Sequence, residues 1–128
     1  MGSRKLALVT LVVDDYQIAA DWYCDKLGFH LKADTDLGGE KRWVVVGPEQ
    51  GADLLLARAS GTEQEKAVGS QTGGRVGFFL HTDKFERDFA AMREKGVVFL
   101  EEPRSEPYGT VAVFEDLYGN KWDLIEPR

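Results

Sequence analysis

The chain has 128 residues, a formal net charge of -6 and a hydrophobic fraction of 43%. That is enough for one domain with a packed core. It excludes an intrachain disulfide and a thiolate metal cluster, because Cys24 is the single cysteine, and it leaves no run of the roughly 20 apolar residues a membrane span needs.

The N-terminus, Met1 to Lys5, is too short and polar for a signal peptide. With the lone cysteine, it suits a reducing cytoplasm. Nucleic acid is not an expected partner. Lys84, Arg87, Arg93 and Lys95 alternate with Asp83, Glu86, Asp88 and Glu94, which predicts a solvated helix face with i,i+4 pairs rather than a basic patch.

Leu6 to Val13 is a β-rich apolar run and predicts a buried strand. Asp14 and Asp15 can cap the helix that follows. Tyr16 to Leu27 carries Ala19, Trp22, Tyr23 and Leu27 at helical spacing, and Gly28 supplies a left-handed stop. Phe29 to Ala33 and Arg42 to Val46 read as strands, with Ala33 to Lys41 an irregular loop between them. A turn at Gly47 to Gly51 leads to a strand from Asp53 to Arg58. Ala59 to Gly74, rich in Gly, Ser, Thr, Gln and Glu, predicts a mobile connector. A flap over a ligand site is the other reading of that stretch, and the connector is favoured.

The second half repeats the first. Arg75 to His81 is a strand, and Asp83 precedes a helix with Phe85, Phe89 and Met92 on one stripe, stopped by Gly96. Val97 to Leu100, Thr110 to Glu115 and Lys121 to Ile125 are strands, and Glu101 to Gly109 is irregular. An offset of 68 positions, without a gap, lays Asp15 on Asp83, Gly28 on Gly96, Val45 on Val113, Gly51 on Gly119 and Leu56 on Leu124. The expected organisation is one domain made of two βαβββ modules, residues 6–58 and 75–127, joined by residues 59–74. The fold class is α+β.

Several motifs carry a resemblance. They are Val12-Val13-Asp14-Asp15-Tyr16, Trp22-Tyr23, Lys26-Leu27-Gly28-Phe29, Glu94-Lys95-Gly96-Val97, Glu106-Pro107-Tyr108-Gly109-Thr110, and Phe114 to Asn120 followed by Trp122. Together they resemble the vicinal oxygen chelate superfamily, the glyoxalase, bleomycin-resistance and dioxygenase group. The resemblance spans nearly the whole chain outside Ala59 to Gly74. It implies two curved mixed sheets forming a cup, with helices packed outside, and a homodimer.

In that superfamily a divalent metal sits on side chains from four strand positions. Carried over one by one, the ligand positions are Leu8, seven residues before Asp15, and Val76, seven before Asp83; then Leu55 and Asp123, four after Gly51 and Gly119. The repeat offset relates the same pairs. Three of the four side chains offer no N or O donor, so the expectation is no metal and no other cofactor. His30 and His81 do not occupy these positions, and His81 reads as a surface histidine. Glyoxalase and dioxygenase chemistry, which need a Lewis acid, are not expected.

Alternation along the strands sorts the remaining candidates. Leu8, Thr10 and Val12 share a face, as do Val76, Phe78 and Leu80, while Leu11, Phe79, Trp122 and Leu124 should pack beneath the helices. The expected ligand-binding set is Thr10, Leu55, Val76, Phe78, Tyr108, Phe114 and Asp123, with Trp43 as a further aromatic wall. Asp123 is the candidate anchor or general base; the plainer alternatives are a carboxylate paired with Arg42 or Lys121, or one solvated at the cup's mouth. Cys24 reads as inert packing. The expected partner is a small organic molecule, cationic or aromatic, held without a metal, with resistance by sequestration as one outcome. An enzyme of the same superfamily, metal-free on Asp123 or metal-dependent with displaced ligands, stays open. So does a cup filled by its own side chains.

Overall fold

The computed structural model describes residues 2–128. The described residues divide into two compact units, one ending at Val68 and the other beginning at Gly69. None of their helices is long and apolar enough to cross a membrane.

In the first unit, strand β1 (Leu8–Val13) leads into helix α1 (Tyr16–Leu27). The helix begins where the sequence places it, because the Asp15 carboxylate accepts from the Ile18 amide at 2.8 Å. It ends at Gly28, whose φ of 69° is the left-handed conformation that glycine takes without a Cβ clash. Strands β2 (His30–Gly38), β3 (Lys41–Gly47) and β4 (Asp53–Arg58) complete a sheet in the order β1-β4-β3-β2, with β1 parallel to β4. Leu11, Val13, Val44, Val46, Leu54 and Leu56 are buried on the face beneath α1.

In the second unit, β5 (Val76–His81), helix α3 (Phe85–Glu94), β6 (Val98–Phe99), β7 (Arg104–Glu106), β8 (Gly109–Glu115) and β9 (Lys121–Pro127) form a sheet in the order β5-β9-β8-β6, with β7 also on β8. Beneath α3 runs an aromatic stack. Phe89 meets Phe99 at 4.5 Å, Phe99 meets Phe114 at 5.5 Å, Phe114 meets Trp122 at 5.8 Å, and Trp122 meets Phe78 at 4.6 Å.

The duplication is visible element by element. Displaced by the sequence offset, β1 falls on β5, β3 on β8, and the span of β2 on β6 and β7 together. Five expectations change. The stretch 33–41 is not irregular: β2 continues through it to Gly38 and pairs with β3. The stretch 101–109 contains β7, the second piece of the strand that is unbroken in the first unit. The linker holds a short helix, α2 (Thr62–Ala67). Its last residues dock on their own unit, with the Gln71 amide donating to Asn120 Oδ1 at 3.3 Å. Asp83 does not cap α3. The Phe85 amide donates instead to Glu126 Oε1 at 2.7 Å, and the Lys84 amide to Thr82 Oγ1 at 3.0 Å. On α3, finally, Arg87 pairs with its neighbour Asp88 at 2.9 Å, not with a residue one turn away.

Candidate ligand-binding surface

Each sheet has a second face, away from its helix. In the first unit Thr10 pairs with Leu55 across the parallel ladder and Leu55 with Val45, while Leu8 pairs with Asp53. Trp43 lies two residues from Val45 on the same face and is exposed. Asp53 is taken by Lys32 at 2.8 Å. This face therefore offers an apolar surface with one exposed indole.

The second unit departs from strict alternation. A bulge between Val76 and Phe78 inserts Gly77 without a partner, so Phe78 pairs with Trp122 and Phe79 with Asp123. One extra residue moves every later side chain to the opposite face. Phe78 is thus stacked in the helix-side core and Phe79 is exposed on the open face, the reverse of what alternation predicts. Phe114 also belongs to that core, fully buried between Phe99 and Trp122, and lines no open surface. Val76 stays on the open face, opposite Lys121.

Asp123 occupies the centre of this face, between Phe79 on β5 and Val113 on β8. It is only 7% exposed, and its Oδ1 is buried with no hydrogen-bond partner. Burial pushes its carboxyl above the ordinary value; the positive charge of Arg104 opposes that shift and Glu101 adds to it. Neither expected counter-ion serves it. Arg42 is bound to Asp34 at 2.7 Å, and Lys121 stands across the ladder from Glu115.

Arg104 is the group the sequence reading missed. Its Nε donates to Glu101 Oε2 at 3.0 Å, and its Nη1 to Glu106 Oε1 at 2.7 Å and to the Tyr108 hydroxyl at 3.4 Å. These bonds, to Glu106 first, hold the guanidinium charged. Glu101 Oε2 also accepts from the Val113 amide at 3.1 Å. The offset lays this pair on Ala33 and Val45, which pair through the backbone in the first unit. A carboxylate here stands in for a strand. The signal was Arg104-Ser105-Glu106, two opposite charges at strand spacing inside a stretch read as irregular.

Tyr108 is exposed beside Arg104. His30 and His81 are both exposed. Burial raises the Cys24 thiol, and nearby Asp21 adds to the shift, which fits inert packing.

The four positions that hold a metal in the resembled superfamily carry Leu8, Leu55, Val76 and Asp123. A divalent cation needs about three protein donors of N, O or S type, and these residues supply one carboxylate. Among the described residues no three His, Cys, Asp or Glu side chains converge as a metal site requires. The residues present do not fit the ion.

Two βαβββ units, each a mixed sheet with a helix on one face, define the class of the protein as an α+β domain of the glyoxalase/bleomycin-resistance fold. A sequence model of the Glyoxalase/Bleomycin resistance protein/Dioxygenase superfamily matches residues 5–124, and the chain belongs to that superfamily. An uncharacterised protein of Shewanella frigidimarina is 53% identical over 126 residues, covering 96% of this chain and 93% of that one. Among solved structures, TnmS3, an antibiotic binding protein from Streptomyces sp. CB03234, is 30% identical with a TM-score of 0.79, covering 100% and 99% of the two chains. UcmS2 is 32% identical with a TM-score of 0.80, covering 98% and 99%.

Proposed function

We propose that the protein binds a small organic molecule without a metal ion, using the open face of the second sheet around Asp123. The observation that carries this reading is the buried carboxylate oxygen of Asp123, left without a donor on a face that also carries Val76, Phe79, Val113 and Ile125. A bound molecule that donates to it would remove that deficit and cover Phe79. The likeness to TnmS3 supports the same reading, because that protein binds an antibiotic. Sequestration, with no bond made or broken, is the simplest activity these groups allow.

A screen of aromatic metabolites and cationic glycopeptides by thermal shift tests it. A ligand present at 100 times its Kd should add about 2.7 kcal/mol to the unfolding free energy. The Phe79→Asp variant, which puts a second acid on the face, should lose the response to aromatic compounds. A broad screen with no stabilising compound, or with hits indifferent to Phe79, rules the proposal out.

A further inference from the structure

We infer that the group bound at Asp123 is a protonated amine, so that this face is an ammonium subsite with Phe79 as its aromatic wall. The inference rests on the small-molecule reading above and adds the charge of the ligand.

The argument is one of charge and partners. Asp123 feels one guanidinium, Arg104, and one further carboxylate, Glu101, which is itself bound to Arg104. Arg104 directs its Nε to Glu101 and its Nη1 to Glu106 and Tyr108, and none of the bonds it makes to these carboxylates involves Asp123. Asp123 is the carboxylate left over, more than nine-tenths buried and with one oxygen unpartnered. The other titratable groups on this face do not redress the balance. Lys121 faces Glu115 across the ladder and the exposed His81 is paired with Ile125 on the adjoining strand. Of the charges that act on Asp123, one carboxylate, Glu101, offsets one guanidinium, Arg104, and leaves the Asp123 carboxylate without a cation of its own.

A buried carboxylate in net negative surroundings is relieved by a cation that also donates a hydrogen bond, and an ammonium does both. An anion placed here would be repelled by the carboxylates of Asp123 and Glu101 beside Arg104. Phe79, exposed at 61% and paired with Asp123 across the ladder, is placed to take the apolar part of the same molecule or the face-on charge of the amine.

The test uses three probes that share one ring and differ in charge: tryptamine, tryptophol and indole-3-acetate. Each is titrated into the 15N-labelled protein at pH 7, and the amides of Phe79, Val113 and Asp123 are followed. Tryptamine should bind most tightly, about tenfold above tryptophol, the gain a charge-assisted bond gives over a neutral one. Indole-3-acetate should bind weakest. In Asp123→Asn, which keeps shape and removes charge, the advantage of tryptamine over tryptophol should vanish. Equal binding of all three at these amides overturns the ammonium inference and leaves the small-molecule reading intact. Tightest binding by indole-3-acetate overturns it in favour of Arg104 as the anchor. Absence of any shift at these amides overturns both.

Discussion

Two buried aspartates in the second unit show how differently the same side chain can be used. Asp116 accepts from the Tyr118 and Asn120 amides, from Asn120 Nδ2 and from Trp122 Nε1, all between 2.9 and 3.1 Å at their shortest. It organises the turn between β8 and β9 and fixes the indole of the aromatic core. Asp123, one strand residue beyond Trp122, has an oxygen with no donor at all. A buried polar group left in that state costs on the order of 1–3 kcal/mol. The first unit places Leu55 at the matching position. Asp123→Leu should therefore stabilise the protein, by a few degrees in Tm for a domain of this size. The gain should depend on pH in a defined sense. Because the folded carboxyl is raised above its ordinary value of 3.8, the folded state resists ionisation more than the unfolded chain does. The native protein carries no ionisation penalty below that value and acquires one as pH rises through the raised titration. The stabilisation by Asp123→Leu should be smallest in acid and grow toward neutral pH, as read from paired melting curves. A gain that is largest at low pH would show that Asp123 is stabilised as the anion.

At the scale of elements, the sequence is legible where chain stereochemistry and apolar pattern agree. Helix α1 runs over the predicted residues because Asp15 and Gly28 act locally at its ends, and β1, β3 and β4 follow their apolar runs. The edge strand β2 was legible only in part. Its later residues, Asp34 to Gly38, are exposed and, Leu37 apart, carry no large apolar side chain, so no burial pattern marks them as a strand. The face of Phe78 was hidden by a single bulged residue, Gly77, whose effect on register arises only from pairing with β9. Asp123 was found through the ligand positions of the resembled superfamily, with which the repeat agrees, whereas Arg104 was not, since its importance depends on β7 forming against β8. That hairpin makes its own prediction. Gly109 ends the turn at φ +152°, and a Cβ there would collide with the backbone carbonyl of Glu126 on β9. Gly109→Ala should cost roughly 2 kcal/mol or more, because neither the conformation nor the neighbouring strand can yield cheaply. Gly28→Ala, with positive φ but open space around it, should cost only about 1 kcal/mol. Urea denaturation of the two variants compares them directly, and an equal loss would mean that the Glu126 contact contributes nothing.

Over the whole molecule, duplication has preserved architecture and released chemistry. The paired units keep the offset through strands, helix stops and turn glycines: Gly28 and Gly96 both have positive φ, as do Gly51 and Gly119. Positions required for backbone geometry have thus stayed matched. The four positions associated with a metal in the superfamily have diverged without harm to the fold, since Leu8, Leu55 and Val76 sit in their ladders as ordinary strand residues. A cation offered to the first unit would have to leave its water for two hydrocarbon side chains, Leu8 and Leu55, and one offered to the second for Val76 and a single carboxylate, and either exchange is unfavourable. Nickel, zinc or manganese at micromolar excess should therefore leave the melting temperature where EDTA leaves it, and metal analysis after dialysis should find less than one ion per ten chains. Saturable binding of one ion per chain, lost on Asp123→Asn, would require donors that these strands do not present, and would place the protein with the metal-dependent enzymes of its superfamily rather than with its binding proteins.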